Sequence, residues 1–318
     1  MKVPGTRLAA LRADPADPVG AVALLVPGFT GSKEDFVALL DPLRSSGLFV
    51  LAVDLPGQYE SPGPHREQDY HPAPLGRTLA ALVADLAASG DRVLLLGHSY
   101  GGLVCRSAVL AGAPVTGLTL LGSGPGALPP GERRALLDAT EPIMRAEGIE
   151  TVQRLLEARD GIAEPPELAA LLRARFLRSS TAGLLGMATG LRTEPDRVTE
   201  LAAALRTGAI SCLVVFGESD DAWPVAVQRD MAAQLNAEVA AVPGATHSPN
   251  IENPQALLDA LLPTWQRWLA REQVDANADP GEPRPARRVG PDSRGAAPYL
   301  DGQELIDRKL AAQLRKVL

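Results

Sequence analysis

Short, continuous apolar runs alternate along this chain with longer stretches in which apolar residues recur every three or four positions. The runs at 21–26, 48–53, 92–96, 117–121, 210–216 and 238–242 are rich in Val, Leu and Ala, with little polar alternation. Strands buried on both faces of a parallel sheet have this pattern, whereas half-solvated strands alternate. A further strand is expected at 7–12. The stretches 33–45, 75–88, 102–110, 225–235 and 254–268 carry the helical period. Strand and helix taking turns predict an α/β fold: a mostly parallel central sheet flanked by helices.

One interval breaks the rhythm. From 127 to 207 there is no strand candidate, only helical patterning interrupted by Pro129, Pro130, Pro165, Pro166 and Pro195. Roughly eighty residues is too long for an ordinary connection between neighbouring strands. A helical lid inserted over the strand ends is the economical reading; packing helices with no role at a site are the alternative. The core then comprises 1–126 and 208–270. Beyond it, 275–298 is dense in Pro, Gly, Asp and Arg, so 271–300 is expected to be a disordered linker. Residues 301–318 recover a helical period, with Leu305, Ile306, Leu310, Leu314 and Val317 broadly on one face. That amphipathic helix could dock on a partner or on the chain's own lid.

Composition narrows the function. Of 318 residues, 46% are hydrophobic and 22% charged, and the formal net charge is −7. Such a balance supports a packed core and disfavours a nucleic-acid partner, which would need a concentrated basic face. Cys105 and Cys212 both sit in apolar surroundings, which suits free thiols in a reducing compartment. The first twenty residues lack a charged-then-apolar leader pattern, and no apolar run approaches the ~20 residues that span a bilayer. The expectation is a cytoplasmic protein with no transmembrane segment.

The chemistry is concentrated in a few segments. Gly97-His98-Ser99-Tyr100-Gly101 directly follows the run 92–96 and precedes a helical pattern, the strand–turn–helix context that a G-x-S-x-G nucleophile requires. Glycines beside the serine let strand and helix approach closely around a strained residue. A serine hydroxyl needs a base. Of the four histidines, His98 is expected to pack or hydrogen-bond beneath the turn, and His65 and His71 lie in a Pro-rich loop. His247 follows the last strand candidate, in a loop that can reach over the strand ends. An acid should orient that imidazole, and 217–224 offers Glu218, Asp220 and Asp221 past a strand's carboxyl end. Asp220 is preferred over Asp221. An oxyanion hole needs two donors: the N–H of Tyr100, next to the nucleophile, and that of Phe29 in the Gly-rich loop 27–32. That loop lacks the G-x-x-x-x-G-K-[ST] pattern of nucleotide binding.

On Val26-Pro-Gly-Phe-Thr-Gly31, Asp54-Leu-Pro-Gly57, Gly97-His-Ser-Tyr-Gly101, 217–224 and Gly244-Ala-Thr-His-Ser248, the chain resembles the α/β-hydrolase superfamily over about residues 5 to 270. It looks most like serine carboxylesterases and monoacylglycerol lipases with a helical lid. The resemblance implies the order Ser, acid, His. It also places the acid three residues past a glycine and four before a proline, as Asp220 stands to Gly217 and Pro224. Two departures stand out: Pro27 where many relatives have histidine, and Gln58 where a histidine is common, the latter expected to matter little. Serine rather than aspartate at 99 implies acyl transfer to water, not dehalogenase or epoxide-hydrolase chemistry. The menaquinone-pathway synthase that uses the same triad usually has arginine where this chain has Leu103. The expected activity is therefore cleavage of a small-molecule carboxylic ester through an acyl-enzyme, with no cofactor or metal. Triad-dependent C–C hydrolysis, menaquinone-pathway-like elimination or other non-ester hydrolysis, and a non-catalytic ligand receptor or scaffold, are the alternatives. Leu184, Leu185, Met187 and Trp223 are candidates for the acyl pocket.

Overall fold

The computed structural model describes residues 2–3, 6–160 and 166–278. Near the start, β1 (Lys2–Val3) and β2 (Thr6–Arg7) form a small antiparallel pair. The main sheet then collects β3 (Ala10–Ala13), β4 (Ala21–Val26), β5 (Phe49–Val53), β6 (Arg92–His98), β7 (Gly117–Leu121), β8 (Ser211–Gly217) and β9 (Glu238–Val242). Its order is β3-β5-β4-β6-β7-β8-β9, with β3 antiparallel to β5 and every other pairing parallel. The single strand expected at 7–12 is thus two strands. Ala9 between them donates its N–H to Ser61 Oγ at 2.9 Å, while Thr6–Arg7 pair with β1 and Ala10–Ala13 with β5.

The continuous apolar runs are explained by a layer of helices on each face. Leu24, Val26, Leu51, Val53, Val93 and Leu95 face one way. There they meet α2 (Pro72–Ala88), α3 (Tyr100–Leu110), α8 (Val198–Thr207) and α9 (Val225–Leu235). Their neighbours in the strands, Ala23, Leu25, Val50, Ala52, Leu94 and Leu96, face the other way, with α1 (Val37–Ser45) and α11 (Pro254–Ala278). The period-two alternation of side chains makes both sets apolar, because neither face reaches water. Helix α11 continues through 271–278, where a disordered linker was expected. The rest of that linker and the helix expected at 301–318 lie outside the described residues. No helix among the described residues is long and apolar enough to cross a membrane.

Between β7 and β8 the chain forms α4 (Glu132–Glu147), α5 (Ile149–Asp160), α6 (Pro166–Arg178), α7 (Thr181–Thr193) and α8. This interval is not one unit. Val198, Leu201 and Leu205 of α8, together with Met187, Ala188 and Leu191 of α7, belong to the main core. Met144, Ile149, Val152, Phe176, Leu184 and Leu185 form a separate small cluster. The interval expected as one lid thus divides: α5 and α6 pack in the small cluster, α4 contributes to both through Leu137 and Met144, and α8 packs on the main core.

Candidate active site

Strand β6 ends at His98 and α3 begins at Tyr100, so the whole turn is Ser99, at φ 53° and ψ −120°. Positive φ is costly for a residue with a Cβ and persists only where the surroundings enforce it. They do so through close backbone approach. A Cβ on Gly97 would stand 2.4 Å from the Gly101 carbonyl oxygen, and one on Gly101 would stand 2.5 Å from that of Pro27. Ser99 donates its N–H to Leu121 O at 2.8 Å, tying the turn to the end of β7.

The loops after β8 and β9 bring two side chains to this serine. Ser99 Oγ lies 2.9 Å from His247 Nε2, and His247 Nδ1 lies 3.1 Å from Asp220 Oδ1. With the imidazole neutral, Nδ1–H donates to the carboxylate and Nε2 accepts from the serine hydroxyl. All three residues are buried, at 7%, 6% and 8% exposure for Ser99, His247 and Asp220. Gly122, at φ +53°, backs the pair: a Cβ there would be 2.9 Å from His247 O and 3.3 Å from Asp220 Oδ2. Burial alone would raise the Asp220 pKa. The hydrogen bonds from His247, Ala222 N–H and Gln228, with the charge of His247, outweigh it and hold the carboxyl below its usual range. Asp221 instead is exposed and pairs with Arg133 at 2.8 Å. His65 is exposed and His71 precedes α2.

His98 lies under the turn, as expected, and its contact is specific. Its Nε2 stands 2.9 Å from His247 O, so the neutral ring carries its proton there and steadies the backbone of the histidine above it. Burial, reinforced by His247, pushes His98 down to about 4. Its Nδ1 has no partner among the described residues. The His247 loop is held elsewhere by Glu252, which accepts from Ser248 N–H at 2.9 Å, and by Asn250 Nδ2, which donates to Asp35 O at 2.9 Å.

The loop after β4 lies directly against the serine, since a Cβ on Gly28 would meet Ser99 Cβ at 3.0 Å. Among the described residues, neither the Phe29 nor the Tyr100 N–H meets a backbone or side-chain acceptor. Gln58, buried at 2% exposure, donates to Gly28 O at 2.7 Å and accepts from Leu55 N–H at 3.0 Å. Where a side chain of little consequence was expected, Gln58 braces this loop.

The four pocket candidates fall into two places. Leu184 and Leu185 sit in the small cluster of the helical interval, against which Phe29 also packs. Met187 and Trp223 are buried in the main core, with the Trp223 ring centroid 6.2 Å from that of His247 and its Nε1–H donating to Ala127 O at 3.3 Å. Asp220, Asp221 and His247 could in principle offer a metal three donor atoms within 4.8 Å of one another. Asp220 and Asp221 are already engaged, by His247 and Arg133 respectively, so the set is poorly suited to a cation.

Solved structures share this architecture. A carboxylesterase of the thaumarchaeon Nitrososphaera gargenis matches 86% of this chain and 99% of its own, at 20% identity and a TM-score of 0.64. A thermophilic esterase from Thermogutta terrifontis matches 83% and 94%, at 23% identity and 0.66. The enol-lactonase of Burkholderia xenovorans LB400 matches 84% and 98%, at 19% identity and 0.65. At these identities the likeness is one of fold. The sequence model of the alpha/beta hydrolase family matches residues 23–260, most of the chain and every segment that forms the site, and the chain belongs to that family.

Proposed function

We propose that this protein is a serine hydrolase that cleaves carboxylic esters through an acyl-enzyme. The observation that carries this reading is the continuous hydrogen-bonded line from Ser99 Oγ through His247 to Asp220, on a buried turn with positive φ. Ser99 Oγ attacks the substrate carbonyl carbon as its proton passes to His247 Nε2. The oxygen that gains charge is received by the Phe29 and Tyr100 N–H groups, the second at the N-terminus of α3, where the helix dipole also favours an anion. Asp220 holds the imidazole tautomer and stabilises the imidazolium. The proton on Nε2 then goes to the departing alcohol, and water deacylates Ser99 by the same steps in reverse order.

Helices α4 to α6, with the first half of α7, act in this reading as the lid. Leu184, Leu185 and Phe29 form the apolar surface that the acyl group meets, because Phe29 supplies both an oxyanion donor and a side chain against that cluster. Trp223 lies beside His247, and Met187 supports the floor from the core. The esterase and enol-lactonase chemistry of similarly folded proteins agrees with attack on an activated carbonyl.

The direct test is hydrolysis of p-nitrophenyl esters of graded acyl length by the purified chain and its Ser99→Ala variant. The variant is expected to lose ~10⁴-fold or more in kcat. Retention of a tenth of the wild-type rate would remove Ser99 from the reaction.

A further inference from the structure

Asp220 presents two oxygens, and only one faces His247. Oδ1 accepts from His247 Nδ1–H and, at 2.9 Å, from Ala222 N–H. Oδ2 accepts from the side chain of Gln228, whose Nε2 stands 3.0 Å away and also donates to Trp223 O at 2.9 Å. Gln228 lies in the first turn of α9 and is 0% exposed. The orientation of its amide is determined, because both neighbours are acceptors and a flipped group would set oxygen against oxygen. The other end of the amide, Oε1, is buried with no partner among the described residues. An orphaned acceptor is a desolvation cost that an apolar side chain at 228 would avoid. Set against that cost are the two hydrogen bonds the nitrogen makes, one to the acid and one to the loop that carries it.

We infer that Gln228 is a positioning residue for the Ser99 reaction, fixing the free oxygen of the Asp220 carboxylate so that the other stays aimed at His247 Nδ1. The inference rests on the serine-hydrolase reading above. Gly122 closes the other flank of Oδ2 without offering a side-chain donor, so Gln228 is its one side-chain partner among the described residues. The neutrality of the amide matters as much as its place. An arginine or lysine there would also hold the carboxylate, but its charge would oppose the imidazolium that forms at His247. An amide restrains the carboxylate and leaves its full charge facing the imidazole.

The test uses the full chain and two variants, read by p-nitrophenyl ester kinetics and by the rate at which a fluorophosphonate labels Ser99, the latter independent of the natural substrate. Gln228→Met keeps length and shape but has no donor. Its kcat and labelling rate should fall together by roughly 10- to 100-fold, with KM within about two-fold of wild type. Gln228→Glu can donate an O–H to Asp220 when protonated but repels it when ionised, so its labelling rate relative to wild type should be highest in acid and fall as pH rises. A Gln228 that only packs α9 would leave the Met variant's kcat and pH profile at wild type while lowering its Tm, and that result overturns the inference. Should the Met variant not fold, a flat ratio for the Glu variant across pH overturns it equally. Labelling that survives in Ser99→Ala overturns the serine-hydrolase reading and this inference with it. Ser99-dependent labelling with unperturbed Gln228 variants overturns this inference alone.

Discussion

The turn at Ser99 and the helices α4 to α6 are held by different kinds of contact. Around Ser99 backbone lies against backbone: Gly97 against Gly101, Gly101 against Val26 and Pro27, and Gly28 against Ser99 itself. Such contacts have no rotamers to relax into. Helices α4 to α6 bury a handful of side chains in the cluster of Met144, Ile149, Val152 and Phe176. They reach the rest of the molecule largely through arginines: Arg133 to Asp221, Arg145 to Glu67, Arg175 to Asp35 and Arg178 to Glu60. On the reading proposed above, the contrast would divide the labour, with reaction at the tightly packed turn and substrate selection left to the more loosely packed helices.

The largest expected effect separates neighbouring carboxylates across this divide. Asp220 faces inward to His247, whereas Asp221 faces out to Arg133 of α4. Asp220→Asn should lower kcat/KM by ~10⁴-fold, since an amide cannot enforce the required tautomer. Asp221→Asn should stay within about two-fold, because it loses only an exposed pair. Ester kinetics on both variants decide it, and comparable losses would mean that the acid has been assigned to the wrong residue.

A smaller effect tests the rigidity itself. The Cβ of Gly101→Ala would press 2.5 Å from Pro27 O and 2.6 Å from Val26 O, forcing the loop after β4 away from Ser99. Overpacking of this kind costs about 1–3 kcal/mol, and a displacement near 1 Å at the reacting atoms can cost ~100-fold in rate. On the other side of the comparison, a Cβ on Gly131 meets nothing within 4 Å, so Gly131→Ala should leave Tm and kcat close to wild type. Equal behaviour of the two variants would dissolve the contrast.

Much of this was legible in the residues, for physical reasons that also set the limits. Strands β4 to β8 were readable because burial on both faces demands uninterrupted apolar runs; the edge strand β9 has the same kind of run although most of it is exposed. Ser99 and His247 were readable because a turn, a strand end and a glycine leave short-range spacings. Gln228, Gln58 and the His98 contact have no such mark. A buried glutamine that donates to Asp220 is written like any polar residue on a helix, and only the tertiary structure supplies its partner. The 127–207 interval shows the same limit in packing. Both α7 and α8 read as apolar helical stretches, yet Leu201 and Leu205 of α8 join the main core and Leu184 and Leu185 of α7 the small cluster.

His98 gives the rigid side a pH signature. An unfolded histidine titrates near ~6.5, and His98 in the folded chain is lowered to about 4. Between those values the unfolded chain binds a proton that the folded chain refuses, so His98 favours unfolding progressively as pH falls through that window. The total is about 3 kcal/mol. His98→Gln keeps a donor for His247 O and lacks the titration. The stability advantage of wild type over the variant should therefore shrink with falling pH between ~6.5 and about 4, as read by urea unfolding. Contributions shared by both proteins, such as that of Asp54, raised to about 6 chiefly by burial, drop out of the difference. A difference that does not change with pH would refute the assignment.

The smallest effect belongs to helices α4 to α6 and should be visible only locally. Arg145 on α4 grips Glu67 with two hydrogen bonds of 2.8 Å, one to each carboxylate oxygen, and it holds the Glu67 carboxyl below its usual range. Both side chains are more than a third exposed, so water and salt screen the pair and its worth to global stability is at most ~1 kcal/mol. Arg145→Ala should accordingly shift Tm by only a few degrees, and the shift should narrow as salt is added. Local opening is a different quantity, because α4 to α6 have few buried contacts to resist it. In hydrogen exchange, amides of α4 and α5 should lose protection in the variant while those of β6 and α3 keep theirs. Uniform loss of protection across β6 and α4 would instead show that these helices unfold only with the sheet, and a lid that opens on its own would have to be abandoned.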